Sequence, residues 1–290
     1  MRFLHLLFIV TFFLGIAAAQ PTVNTNGVVN SSNYSINNPK GSLVTIFGTN
    51  MATTGKLLVA SSTPLSMELQ GGSDTISVTI NGTPAPIYYA TSTQSSVQVP
   101  WEITAGTANI VVMRNGQKSQ PQSFHATTFS PGIFTTNQQG TGMAWAIYAC
   151  APGSTSGCPA PAKPSVAQPP QGWPFASITA VPAQAGDRLY LYATGLGPVN
   201  PTIADGAAPC ALAGCVAGDT QRKTTTLPQV TIGGVQAKVT FSGLAPQFPG
   251  VYQVNFTVPT GVTPGNAVPI QIATGSPLIT TANNVTIAIQ

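Results

Sequence analysis

The chain has 290 residues, of which only 6% are charged and 43% are hydrophobic, with a formal net charge of +4. Apolar content this high excludes a disordered chain, and the scarcity of charge argues against long solvent-exposed helices. The cations are scattered, the closest pair being Arg222-Lys223, which excludes the clustered face that nucleic-acid binding needs.

In chain order, residues 1–19 are predicted to be a signal peptide. Arg2 supplies the positive start, Leu4 to Ile16 is nearly unbroken apolar sequence, and Ala17-Ala18-Ala19 suits cleavage. No later stretch approaches the ~20 apolar residues of a membrane-crossing helix. The mature chain is therefore expected to be exported, either secreted or at the outer cell surface, without a membrane span.

From Gln20 onward the pattern is of strands and turns. Strands are predicted at Leu43–Phe47, Thr75–Ile80, Ile87–Ala90, Ser96–Val99, Ala108–Met113 and Ser123–Thr127. Thr75–Ile80 alternates strictly and is followed by Asn81-Gly82, a strong hairpin signal. The second half repeats the pattern at Arg188–Thr194, Gln229–Ile232, Lys238–Ser242, Tyr252–Val258, Val268–Ile272 and Asn284–Ile289. No segment shows convincing helical periodicity, so the fold class is all-β.

The halves also match one another. Gly41–Asn50 matches Gly186–Gly195, Val78–Ala85 matches Val230–Ala237, and Val99-Pro100 matches Val258-Pro259, in the same order. Two successive copies of one sandwich explain this, with units at 20–128 and 129–290. The second copy carries a proline-rich insertion at 151–174, expected to be a surface loop because proline lacks a ladder donor.

The cysteines are Cys150, Cys158, Cys210 and Cys215. An even count in an exported chain suggests disulfides. A predicted strand of roughly 23 Å at Arg188–Thr194 separates the two pairs, while a bridge holds its Cα atoms within about 7 Å. Local pairing, Cys150–Cys158 and Cys210–Cys215, is expected as a stiffener of loops.

These residues together resemble the IPT/TIG immunoglobulin-like family, and more specifically the repeat domain at the C-termini of many exported acidobacterial proteins. Gly41–Ala52, Ala85–Tyr89, Val97–Pro100, Ser130–Phe134, Tyr192–Pro198, Gly243–Pro246, Gly250–Asn255 and Asn284–Gln290 carry the resemblance. It implies two tandem immunoglobulin-like sandwiches after a signal peptide. It also implies a spacer, binding or adhesion role, and it supplies no catalytic residues.

Catalysis finds little purchase. His125 is the single histidine after the signal peptide and has no neighbouring carboxylate or Gly-x-Ser-x-Gly turn. Glu68, Asp74, Glu102, Asp187, Asp205 and Asp219 are dispersed, and Asp187 is expected to pair at the surface with Arg188. The cysteine spacings do not suit zinc, Asp205-Gly206 is too sparse for calcium, and Gly195-Leu196-Gly197 reads as a turn; no metal or cofactor is expected. Among the aromatics, Tyr190 and Tyr192 share a strand face and are expected in the core. Trp173 and Trp101 fall in loops, where an aromatic ring can stack on a ligand. The expected function is non-enzymatic adhesion, matrix binding or structural spacing by a monomer. Polysaccharide binding through Trp173 or Trp101 is the alternative and a secreted hydrolase the third reading. The expected partner is an extracellular glycan or a surface protein.

Overall fold

The structure, a computed structural model, describes residues 20–154, 164–209, 221–281 and 284–290. The predicted signal peptide, Cys158, Cys210, Cys215 and Asp219 lie outside them. The described residues contain strands and turns but no helix, hence no helix long and apolar enough to cross a membrane.

The first half packs two sheets face to face. One runs Thr22–Asn30, Leu43–Thr49, Gln94–Gln98, Ile87–Ala90, Leu58–Val59. The other runs Asn37–Pro39, Gln122–Thr127, Gly106–Arg114, Asp74–Ile80, Glu68–Gly71. The strict alternation of Asp74–Ile80 buries Ile76, Val78 and Ile80 at 0–1% exposure. Opposite them, Ile46 and Val97 complete the core.

The second half builds a separate core from Leu189, Leu191, Val230, Ile232, Val254, Phe256, Ile270 and Ile287. Its strands form one continuous path because Val235–Leu244 serves both layers. Its start pairs with Gln229–Ile232, and from Lys238 onward it pairs with Tyr252–Thr257 through a register shift between Val239 and Phe241. The duplication is visible at the hairpins. Asn81 and Gly82 (φ 50° and 84°) and Gly233 and Gly234 (φ 57° and 82°) take two successive positive φ values, the tight-turn geometry that suits twisted strands.

Three expectations are corrected. The stretch 151–174 is not a surface loop throughout. Between Pro164 and Pro169 it holds no proline, and there Ser165–Val166 becomes a buried strand between Ala146–Tyr148 and Thr179–Ala180. Gln168 follows, fully buried, donating Nε2 to the carbonyls of Ala144 (2.9 Å) and Thr286 (3.2 Å). Asp187 is 3% exposed rather than a surface partner of Arg188, and its carboxylate accepts the N–H groups of Gly153 (2.8 Å) and Gln184 (2.9 Å). Tyr190 and Tyr192 stand outside the core, because Leu189, Leu191 and Ala193 occupy the inward face of their strand at 0% exposure. Leucine has no polar atom to satisfy, whereas a phenol is better placed where it meets water or a partner.

Candidate binding groove at the joint

The two sandwiches meet through buried polar contacts. Gly195 N–H donates to Ser42 Oγ at 3.0 Å, Leu43 N–H to Thr194 Oγ1 at 3.3 Å, and Asn30 Nδ2 to the Ser130 carbonyl at 3.0 Å. Gln98, fully buried, accepts the Gly206 N–H at 2.6 Å and donates to the Gly41 carbonyl at 3.0 Å. The Leu65 N–H reaches the Gly206 carbonyl at 2.8 Å, so the turn Asp205-Gly206 is seated in the first half.

Along this joint lie two adjoining cavities of about 260 Å³ each, sharing Leu43, Tyr88, Phe134, Thr135 and Gln138. One continues over Trp145, Tyr192, Phe248 and Val251. The other continues over Ser31, Tyr34, Thr45, Tyr89, Gln94 and Ser96. Neither lining contains an Asp, Glu, Lys or Arg. Together they fall within the range of small-molecule sites.

Local structure explains each aromatic side chain. Tyr88 is the extra residue of a β-bulge: Ile87 pairs with Val97 and Tyr89 with Ser96. A bulge re-aims its side chain, and Tyr88 stands half-buried with its hydroxyl on the Pro249 carbonyl at 2.8 Å, across the joint. Tyr192 projects from the outer face of Arg188–Thr194 and meets Phe248 edge-on, ring centres 5.9 Å apart, and Tyr190 edge-on at 5.8 Å. Phe134 is fixed by its backbone, giving its N–H to Tyr192 and accepting that of Trp145. Burial raises the phenol pKa values of Tyr88, Tyr89 and Tyr192, so these phenols of the groove stay neutral through the physiological range.

Neither expected tryptophan lines the groove. Trp173 is half-buried, its indole N–H given to the Ile178 carbonyl at 2.9 Å and its ring 6.0 Å from Trp145 and 5.2 Å from Phe175. It braces Trp145, which does line the groove. Trp101 is packed against the second core from the first half, and its ring fills the space beside Gly41, where a Cβ would come within 2.2 Å. It therefore anchors the joint.

The remaining chemistry is dispersed. His125 is exposed on its strand. Asp74 is paired with Arg114 at 2.8 Å, Glu68 is exposed beside Gln70, and Asp205 accepts the Trp101 N–H near Glu102. Among the described residues no group of His, Cys, Asp and Glu could hold a metal ion. Cys150 is buried and disulfide-bonded; its expected partner and the second expected pair lie outside the described residues.

Comparison with known proteins gives the fold a family context. No curated protein matches the chain. Among solved structures it is similar to SGBP-B of the Bacteroides ovatus mixed-linkage glucan utilization locus, in complex with a mixed-linkage heptasaccharide (10% identity, TM-score 0.33). The match covers 88% of this chain, which spans 44% of that one. It is also similar to the Yersinia pseudotuberculosis adhesin InvE (13% identity, TM-score 0.20, covering 90% of this chain and 60% of that one). A tandem pair of titin immunoglobulin domains matches at 8% identity and TM-score 0.21, over 93% of this chain and 98% of that one. Likenesses this remote carry no function. Residues 28–129 match the IPT/TIG domain family, an immunoglobulin-like fold.

Proposed function

We propose that this chain is an exported, non-enzymatic binding protein that attaches to an extracellular glycan or surface protein through the groove at its joint. Residues 1–19 serve as the export signal, 20–128 and 129–290 are the two units, and the protein acts as a monomer. The observation that supports this reading is the groove itself: an uncharged, aromatic concavity to which both sandwiches contribute. Scattered aromatics on a surface are ordinary, but a concave set with a few placed polar groups is what a binding site requires. Adhesion or matrix binding follows directly, and the hydrogen-bonded joint also suits a spacer.

The test compares retention of the purified protein on whole cells and extracellular matrix with that of a Trp145→Ala/Tyr192→Ala double variant of similar melting temperature. Retention should fall to background in the variant. Undiminished retention would remove the groove as the contact surface.

The local disulfides Cys150–Cys158 and Cys210–Cys215 belong to the same proposal, as loop stiffeners. Peptide mapping without reductant should recover both, and a Cys150–Cys210 or Cys150–Cys215 linkage would replace them.

A further inference from the structure

We infer that the groove takes a neutral, unbranched polysaccharide strand whose sugar rings stack on Tyr88, Tyr192 and Trp145; this rests on the groove being the contact surface. The lining selects the chemistry. At the second-half end, Trp145, Tyr192 and Phe248 present mostly ring surface. At the first-half end, Tyr88 and Tyr89 stand among Ser31, Thr45, Gln94 and Ser96; the Ser31 and Thr45 hydroxyls meet at 2.9 Å and the Gln94 amide reaches the Tyr89 hydroxyl, so this end is polar and its oxygens keep lone pairs that can accept from a ligand. A ligand that satisfies both ends has flat apolar faces and hydroxyl-bearing edges, which describes a pyranose ring.

Other occupants fit less well. A lipid tail would offer nothing to the polar oxygens of the first-half end. An anionic polymer meets no cation in either lining. A folded protein partner needs about 800 Å² on each side, more than two small cavities present. Because the cavities share Tyr88, Phe134 and Thr135, the concavity continues from one sandwich to the other. That suits successive rings of a strand better than a single sugar.

The platform is also pre-ordered. Phe248 and Tyr190 both pack against Tyr192, while Trp173 and Phe175 form a three-ring cluster with Trp145 at 6.0 and 5.3 Å. Rings already held in place lose little freedom on binding. Trp173 is thus a positioning residue for Trp145.

The experiment is electrophoresis of the full chain through gels containing a neutral glucan, mannan or galactan, against gels containing polygalacturonate. At least one neutral polymer should retard the protein and polygalacturonate should not. Tyr192→Ala should weaken binding about tenfold, a loss of ~1.4 kcal/mol, and Trp173→Ala about threefold. Phe248→Ala, at a side chain 47% exposed and so safe for folding, should also weaken it. Retardation that survives all three substitutions, or that only polygalacturonate produces, overturns the inference. If groove substitutions abolish retention on cells and matrix while no neutral polymer retards the protein, the contact surface stands and the polysaccharide is ruled out.

Discussion

The backbone N–H of Trp101 donates to Oδ1 of Asp205 at 2.9 Å, tying a loop of the first sandwich to a turn of the second. Burial pushes the Asp205 carboxyl up to about 6; the Trp101 N–H opposes the rise and the neighbouring Glu102 adds to it. In an unfolded chain an aspartate titrates near 3.9. The folded form therefore holds the proton more tightly. The stability this confers is full below about pH 4 and is lost as pH rises through about 6. Asp205→Asn should abolish that slope, so the difference in melting temperature between the two proteins should change between about pH 4 and pH 6. A constant difference would show that Asp205 does not titrate at the joint.

Asp74 should behave in the opposite sense. Burial alone would raise its pKa, but the Thr53 N–H (2.7 Å) and the Arg114 guanidinium together hold it below the ordinary carboxylate value. Its contribution is present at neutral pH and is lost as pH falls through that lowered value. Arg114→Ala leaves the carboxylate buried without its cation and should cost about 3 kcal/mol in urea unfolding at neutral pH. A cost under about 1 kcal/mol would mean that the Thr53 amide alone suffices.

Gly41 has φ 72°, and an added Cβ would fall 2.2 Å from the Trp101 ring. Gly41→Ala should force the indole out of the joint and destabilise the protein by more than about 2 kcal/mol. Tryptophan fluorescence should shift to the red as one of three tryptophans meets water. Unchanged emission and stability would contradict the packing described.

Gln168→Ala removes the donor shared by the Ala144 and Thr286 carbonyls in a fully buried place. The expected loss is about 2 kcal/mol, with faster amide exchange at Ala144 and Ala288. A neutral effect would mean that water takes the place of the amide.

Much of the strand order was legible in the sequence, and the exceptions have causes. Arg188–Thr194 and Gln229–Ile232 coincide with their predicted bounds, since β-branched or aromatic alternation ends there at glycine. Thr22–Asn30 escaped notice because its alternation breaks: Asn26 sits at φ 56° and the pairing slips between Val23 and Val28. The groove was not legible at all. Tyr88 faces it only because of a bulge, and Tyr192 reads as core until Leu189 and Leu191 are seen to hold the interior. Trp101 and Trp173 stood out as loop aromatics, yet loop placement says nothing of what lies beneath a ring. Concavity at a joint depends on residues far apart in the chain, and local pattern does not report it.

The connection between Thr127 and Gly132 is clasped from both flanks. Lys40 N–H reaches the Thr127 carbonyl, Asn30 holds the Ser130 carbonyl, and Ser130 N–H reaches the Gly195 carbonyl. The molecule is therefore a beam and not two beads on a string. Tension applied along it loads both halves together, and its reach is set by its shape rather than by the thermal wandering of a tether.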